Sequence, residues 1–468
     1  MSLKLFNTLT RQKDEFIPIV AKKVGYYSCG LTVYNYAHIG NLRTYIFTDT
    51  LRRVLEYNGY EVNHIMNITD VGHLASDQDE GEDKIDREAQ KTKKSPYEIA
   101  EFYTQAFLKD MEELNIKKPK LMCKATEHIP DMIALIEKLV NKGYAYVTKN
   151  AVYYDTSKFK DYGKLARLNL DGQNSGARVE VEPEKRNPFD FALWKINQPN
   201  HIMQWDSPWG RGFPGWHIEC SAMSMKYLGE TFDIHSGGID HIPVHHTNEI
   251  AQSEGATGKK FVNYWVHANF LQIKDTKMSK SLANFYTLQD LKNMGFDPMV
   301  FKMFVLMAKY RAELSFTDEA LTAAKTVLEY IYNFVTQMGS LDDVIQTGDE
   351  DWVKGYKEKF LEAINDDLNT PQAVAVVLEI IQEAYKRKHF RVYETLLDFD
   401  KVLGIRIKEK RESTKKELPD EIKTLIAERE NARKSKDWAK SDALRKQIES
   451  SGYILEDTPE GMRCKKKE

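Results

Sequence analysis

Cysteine is scarce in this chain. Four occur in 468 residues, Cys29, Cys123, Cys220 and Cys464. So wide a scatter forms no disulfide framework and suits a reducing compartment. No apolar run approaches the roughly 18 residues that a membrane span needs, so no membrane partner is expected. Met1-Ser2-Leu3-Lys4-Leu5-Phe6-Asn7 has neither an apolar core nor a cleavage pattern, so a secretory leader is not expected and the expected location is cytoplasmic. Internal repeats are absent. The net charge is small, −3, but unevenly placed. From Arg406 onward Lys and Arg outnumber Asp and Glu by 18 to 14, which leaves −7 on everything before. An acidic body with a basic tail fits a polyanion gripped at one end, and equally a solvated helix face of mixed charge.

What is present is ample core: 42% of residues are hydrophobic and 29% charged, over a length suggesting roughly three domains. Val24 to Cys29 reads as a buried strand. Asn41 to Tyr57 reads as a helix, with Phe47, Leu51, Val54 and Leu55 at helical spacing and Gly59 closing it. Glu61 to Thr69 is a second strand, and this order begins a doubly wound parallel sheet. Thr126 is placed to cap a helix running to about Asn141. A hairpin follows, Tyr144 to Val147 returning through Val152 to Tyr154. Gly, Pro and Asn clusters up to Trp209 suggest a domain inserted into the sheet. The parallel pattern resumes with helix Trp216 to Leu228, strand Phe232 to His235, helix Val244 to Ser253 and strand Tyr264 to Ile273. From Pro298 to Ile405 the pattern is helical, and Ala373 to Ile381 is typical of a bundle core. After a charged linker come a helix pair broken near Asp437-Trp438 and a hairpin turning at Thr458-Pro459-Glu460-Gly461.

The expected fold class is therefore α/β. A Rossmann-like parallel catalytic domain in two halves (1–115 and 214–297) surrounds an inserted domain (116–213). An α-helical bundle (298–407), a linker (408–418) and a small C-terminal α+β module (419–468) complete the chain.

Lys277-Met278-Ser279-Lys280-Ser281 is the most informative stretch. It sets two ammonium groups three residues apart, with hydroxyls between and after them. About 240 residues upstream, His38-Ile39-Gly40-Asn41 lies between strand and helix. Helix N-termini attract phosphate, and open α/β sheets bind ligands at the carboxyl ends of their strands. Gly40 has no side chain, so a flat base can approach the backbone. His38 can donate to a phosphate oxygen. The pair, in this order, resembles the two signatures of the class I aminoacyl-tRNA synthetases. That resemblance implies that Lys277 and Lys280 neutralise charge as a carboxylate attacks the α-phosphorus of ATP, with Lys280 the more directly involved. It implies a histidine where this chain has Asn41, whose amide can donate but carries no charge. It also makes Gly237-Gly238-Ile239-Asp240 a ribose-binding turn, in which Gly238 permits close approach and Asp240 accepts from sugar hydroxyls. ATP is expected as substrate, with Mg²⁺.

Two cysteines fall near the same sheet edge, Cys29 and Cys220. His245 and Glu249 are four apart on an expected helix, hence on one face. Two thiolates, an imidazole and a carboxylate suit Zn²⁺. His246 competes with His245 for that role, and the spacing to Glu249 favours His245. Buried small hydrophobes would explain the two cysteines equally.

The whole chain resembles the cysteinyl-tRNA synthetase family. The matching stretches are Asn67 to Asp70, Lys185 to Lys195, Pro214 to Met223 and Phe232 to Gln252. The resemblance implies one zinc per chain that contacts the substrate thiolate directly, and a pocket lined by Thr69, Trp216 and His235. It implies L-cysteine, ATP and tRNA(Cys) as partners, a tRNA-contacting bundle and an anticodon-binding C-terminal module. A monomer is the expected form. Two other readings remain at this stage. One is a related ligase joining cysteine to an amino sugar, which lacks the long RNA-binding C-terminus; the other is a catalytically silent RNA-binding protein, suggested by Asn41.

Overall fold

Two short strands, β1 (Lys4–Asn7) and β2 (Gln12–Glu15), open the chain as an antiparallel hairpin. The chain then runs β3 (Lys23–Ser28), α1 (Ile39–Tyr57), β4 (Glu61–Ile68), α2 (Lys84–Thr92), α3 (Pro96–Glu113), β5 (Leu121–Lys124) and α4 (Ile129–Asn141). Next come β6 (Ala145–Val147), β7 (Ala151–Tyr154), β8 (Phe191–Ile196) and β9 (Gly212–Pro214). They are followed by α5 (Trp216–Leu228), β10 (Phe232–Gly238), α6 (Thr247–Thr257) and β11 (Val262–Ala268). The computed structural model describes residues 2–72, 84–168, 183–198, 201–273, 276–277, 285–337, 351–387, 392–414, 419–435, 437–458 and 461–466.

A five-stranded parallel sheet in the order β11-β10-β3-β4-β5 forms the centre. The chain builds outward from β3 to β5, then returns to lay β10 and β11 on the other side of β3. The strand order reverses between β3 and β10, which is where such sheets leave a crevice at their carboxyl ends. Buried tyrosines Tyr26 and Tyr27 alternate onto opposite faces of β3. Both faces are covered, so the strands read as apolar runs rather than as an alternation.

The inserted sheet is antiparallel, β6-β7-β8-β9. It begins at Ala145, whereas β5, inside the 116–213 stretch assigned to the insert, pairs in parallel with β4. A strand of four residues, Leu-Met-Cys-Lys, is too short to declare its sheet by pattern. Thr126 does not cap α4: its backbone N–H and hydroxyl both donate to Asp70, at 2.9 and 2.6 Å. The expected helix Val244 to Ser253 begins as a wide π turn at Ile242–His246 before α6.

Beyond the sheet lie β12 (Leu271–Ile273), β13 (Thr276–Lys277), α7 (Leu288–Asn293), α8 (Pro298–Leu306), α9 (Asp318–Gln337), α10 (Asp351–Asn365), α11 (Thr370–Arg387) and α12 (Tyr393–Leu403). A buried polar hub ties α1 to this bundle. Asp49 of α1 accepts from Arg53 Nε at 2.7 Å and from Lys302 Nζ of α8 at 3.2 Å. Lys302 also donates to the carbonyls of Leu114 and Asn115, and Arg53 to that of Lys401. Burial would raise the Asp49 carboxyl, but the Lys302 and Arg53 charges outweigh it and hold it below its ordinary range. Burial lowers the Lys302 ammonium to about 8, against the pull of Asp49.

Lys302→Met leaves a carboxylate and two carbonyls short of a donor. It is expected to cost about 3 kcal/mol in a denaturant titration. Because the folded Lys302 releases its proton before the unfolded one does, the unfolded chain binds more protons from about pH 8 to 10.5. The wild type should therefore gain stability over the variant as pH rises through that window.

Residues Lys408–Glu468 cluster as a second compact unit, apart from Met1–Ile407. Helices Asp420–Lys434 and Trp438–Ser450 are followed by a hairpin, Tyr453–Thr458 with Gly461–Lys466. Ile422, Leu425, Leu444, Ile448 and Leu455 form its core, and Trp438 is 58% exposed.

Candidate active site and metal centre

A cavity of about 270 Å³ opens at the crevice between β3 and β10. Its walls include Cys29, His38, Asn41, Thr69, Trp216, Cys220, Gly238, Asp240 and His245. Residues from five separate stretches of sequence thus meet at the carboxyl edge of the sheet.

His38 is the N-cap of α1. Its Nδ1 accepts from the Asn41 backbone N–H at 3.1 Å, and Asn41 Oδ1 accepts from the His38 N–H at 3.2 Å. Each residue satisfies a donor that the helix start would otherwise leave open. With Nδ1 an acceptor, the proton of the neutral ring sits on Nε2. The Asn41 amide is oriented by the same exchange, which leaves its Nδ2 protons available. The segment after the lysine pentapeptide docks here too. Tyr286 O accepts from Ile39 N–H at 2.9 Å, and the Phe285 ring stands edge-on to His38 at 5.4 Å. Lys277 pairs with Gln272 in β13; its side chain, and all of Lys280, lie outside the described residues.

Close approach decides the glycines. A Cβ on Gly238 would lie 2.3 Å from Asp240 Oδ1, and one on Gly30 would lie 1.6 Å from the Asn67 carbonyl oxygen. Gly30 N–H donates to Asn67 Oδ1 at 2.8 Å, which fixes the turn that follows Cys29.

The metal-type cluster forms part of the cavity wall, with Glu249 behind it. Ligand atoms of Cys29, Cys220, His245 and Glu249 all lie within 4.8 Å of one another, and all four residues are buried. A second set, Cys29, His235, His246 and Glu249, meets the same distance. The first set fits a metal better, for three reasons. Glu249 Oε1 is buried without a hydrogen bond, 3.1 Å from His245 Nε2, and such an orphan calls for a cation. Burial raises the Cys29 thiol and takes the Cys220 thiol well above its ordinary value, so two adjacent thiolates need a charge to balance them. Finally, His245 Nε2 lies nearer Glu249 Oε1 than His246 Nε2 does, 3.1 against 3.8 Å, and His246 Nδ1 is engaged by His267.

That engagement runs through a chain of hydrogen bonds. Thr8 Oγ1 lies 2.7 Å from His267 Nδ1, His267 Nε2 lies 2.7 Å from His246 Nδ1, and His246 Nε2 lies 3.3 Å from Cys29 Sγ. Burial, followed by the neighbouring imidazoles, drives both rings well below the ordinary histidine value, so both are neutral. Each neutral ring has one donor and one acceptor. A thiolate at Cys29 accepts only, so in that state the Thr8 hydroxyl donates first and His246 Nε2–H donates to sulfur. Such outer partners orient metal ligands.

Of the expected substrate pocket, Thr69 and Trp216 line the cavity. The Thr69 hydroxyl donates to Glu219 Oε2 at 3.0 Å, and the Trp216 ring lies 4.3 Å from that of His245. His235 is fully buried and away from the cavity wall, with its Nε2 2.9 Å from Glu249 Oε2. It holds the carboxylate from behind. Sequence reasoning missed Gly30 and the link from His246 through His267 to Thr8, having weighed His246 only as a rival ligand. Asn67 was signalled by the Asn67 to Asp70 stretch, and His241, which lines the cavity, by the Phe232 to Gln252 stretch.

Crevice, capped imidazole and glycine turn define the class I aminoacyl-tRNA synthetase fold. Solved structures share it: a methionyl-tRNA synthetase of Mycobacterium tuberculosis bound by methionyl-adenylate has a TM-score of 0.58 at 17% identity, covering 82% of this chain and 90% of that one. A leucyl-tRNA synthetase of Agrobacterium radiobacter, from a ternary complex with tRNA, has 0.60 at 11%, covering 85% and 86%. Residues 15–326 match the class I (C) tRNA synthetase catalytic domain, 359–408 the DALR domain and 415–463 the cysteinyl-tRNA ligase anticodon binding domain. Among curated relatives, the cysteine--tRNA ligase of Treponema denticola is 48% identical over 98% of both chains. Cysteine--tRNA ligase 1 of Burkholderia lata is 47% identical over 99% of this chain and 97% of its own. The chain belongs to the cysteine--tRNA ligase family. No helix among the described residues is long and apolar enough to cross a membrane.

Proposed function

We propose that this chain activates L-cysteine with ATP and Mg²⁺ and transfers it to the 3′ end of tRNA(Cys), as a cytoplasmic monomer. The observation that carries the reading is the single cavity in which the capped His38, the Gly238–Asp240 turn and three of the four metal-type ligands meet. In the first step the cysteine carboxylate attacks the α-phosphorus and pyrophosphate leaves, giving the mixed anhydride. In the second, the terminal ribose hydroxyl attacks the acyl carbon and AMP leaves.

His38 Nε2–H and the Asn41 amide donate to phosphate oxygens. Gly40 admits the base to the helix start, and Gly238 and Asp240 hold the ribose hydroxyls. Lys277 and Lys280 neutralise charge as it moves from the α-phosphate to pyrophosphate. Such chemistry asks mainly for positioning and electrostatics. Cys29, Cys220, His245 and Glu249 would hold Zn²⁺, with His235 and His246 bracing the set from behind; Thr69 and Trp216 close the amino-acid pocket. Bound there, zinc supplies a soft ligand position that accepts a thiolate and refuses a hydroxyl, a discrimination that packing alone holds to about 10²-fold. Cysteine-dependent ATP–pyrophosphate exchange together with metal analysis tests the reading. Exchange supported equally by serine would overturn the zinc assignment.

The division of labour along the chain gives a further expected result. Every residue assigned to ATP, metal and cysteine precedes Leu282, so deletion from Pro419 should leave cysteine-dependent exchange within about threefold. Transfer to tRNA should fall by about tenfold or more. Its remaining tRNA binding should show a shallower salt dependence, because phosphate contacts are lost with the basic tail. Unchanged kcat/KM for tRNA in the truncated chain would rule out anticodon reading by this unit.

A further inference from the structure

At the rim of the cavity three aromatic rings pack edge to face. Tyr36 lies 6.0 Å from Phe102 and 5.2 Å from Tyr103, and Phe102 lies 5.1 Å from Tyr103. Tyr103 is buried and serves as their base, whereas Tyr36 is 45% and Phe102 47% exposed. Tyr36 also lines the cavity, so this ledge is continuous with the active site.

The segment that leads into the ledge is net positive in sequence, and one of its cations stands against the rings. α2 and the turn after it, Lys84 to Lys94, carry five Lys and Arg against Asp86 and Glu88. Asp86 is buried, with Oδ2 accepting from Ile202 N–H. Lys93 adopts a left-handed backbone (φ 56°), and the turn sets the Lys94 ammonium 5.2 Å from the centre of the Phe102 ring. The nearest carboxylates on α3 are engaged, Glu98 in capping Ser95 and Glu101 with Lys124 at 2.9 Å. Aromatic faces flanked by cations are the means by which proteins hold unpaired nucleic-acid bases without reading their sequence.

We propose that Tyr36, Phe102 and Lys94 form the platform on which an unpaired base of the tRNA 3′ end stacks as its terminal ribose enters the cavity. This rests on the transfer step proposed above. The partner chemistry is a single strand: flat bases for the rings and a phosphate for the ammonium. Among the described residues, Phe102 is not part of the cavity lining and its ring neighbours are Tyr36 and Tyr103, none of them assigned to ATP, metal or cysteine, so the adenylation step is expected to be independent of it.

The test compares the full chain with Phe102→Ala, Phe102→Trp and Lys94→Ala. Each is measured for cysteine-dependent pyrophosphate exchange, for single-turnover transfer, and for binding of intact tRNA and tRNA trimmed of its unpaired 3′ nucleotides. In the wild type, trimming should weaken binding by about tenfold, the order of one stacked base. Phe102→Ala should bind both tRNAs alike, transfer about tenfold more slowly and exchange pyrophosphate normally, and tryptophan should restore transfer. Lys94→Ala should flatten the salt dependence by slightly less than one unit of slope. A trimming penalty that survives in Phe102→Ala would overturn the proposal, as would a rise in KM for ATP, which would assign the ledge to the nucleotide. A change of solution mass with normal transfer would make it a self-association face instead. Absence of exchange in the wild type would sink the functional reading itself, a result separate from these.

Discussion

Cys220→Ser is expected to strip the metal and the affinity for cysteine together. Serine preserves size and the start of α5, so the fold should hold, but its hydroxyl stays protonated at neutral pH and is a poor zinc ligand. Purified variant should carry less than about a tenth of an equivalent of zinc. KM for cysteine in pyrophosphate exchange should rise by about 10²-fold or more, since even losing a partner that only orients a ligand costs about 10–100-fold. KM for ATP should move little, because Cys220 belongs to the ligand set and not to the residues assigned to ATP. Cys123→Ser is the control. That thiol is buried, with burial raising it to about 12, and its Sγ sits 3.5 Å from the Met66 carbonyl oxygen, outside the ligand set. Stoichiometric zinc in Cys220→Ser would remove the residue from the centre.

Lys280→Ala should slow adenylate formation about 10²–10³-fold, or some 3–4 kcal/mol of barrier, by analogy with the loss of one preorganised oxyanion donor. The ammonium is needed only as negative charge shifts toward the leaving pyrophosphate, so KM for cysteine should be nearly unchanged and kcat should carry the loss. Single-turnover adenylation measured by quench separates the two. A rate within threefold of wild type would leave Lys280 with no part in the chemistry. Lys277→Ala, by the same measurement, should lose less, since its neighbour still supplies a charge.

The elements with strong periodicity were legible in the sequence. Helix α5 runs from Trp216 to Leu228 as its pattern predicts, and α1 and β4 differ from expectation by two residues or fewer. Misses came where a local signal competes with a tertiary one. Thr126 has the chemistry of a cap, but its hydroxyl finds the Asp70 carboxylate across the sheet edge. β5 is too short to show which sheet it joins. His235 was expected on the pocket wall, yet the side chain turns inward to Glu249, because β10 presents alternate residues to opposite faces. Within the cluster, the His245–Glu249 pair was legible from its i, i+4 spacing, whereas no local spacing ties Cys29 or Cys220 to it.

By itself the sequence determined the class of chemistry: the residue types at His38, Asn41, Lys277, Lys280, Cys29, Cys220, His245 and Glu249, and the periodic elements that carry them. Tertiary structure alone decided which of them share a space. Cys29 and Cys220 stand 191 positions apart in the chain, and only the return of β10 beside β3 brings their thiols to one centre. Spacing to Glu249 favours His245 over His246, and the fold shows how the two neighbours differ. Adjacent in sequence, they differ because the wide turn at Ile242–His246 aims one at the cavity and commits the other to His267 and Cys29. The physical reason is that hydrogen bonds and metal ligation act over about 3 Å, a distance that spacing along a chain specifies within one helix turn and not between elements.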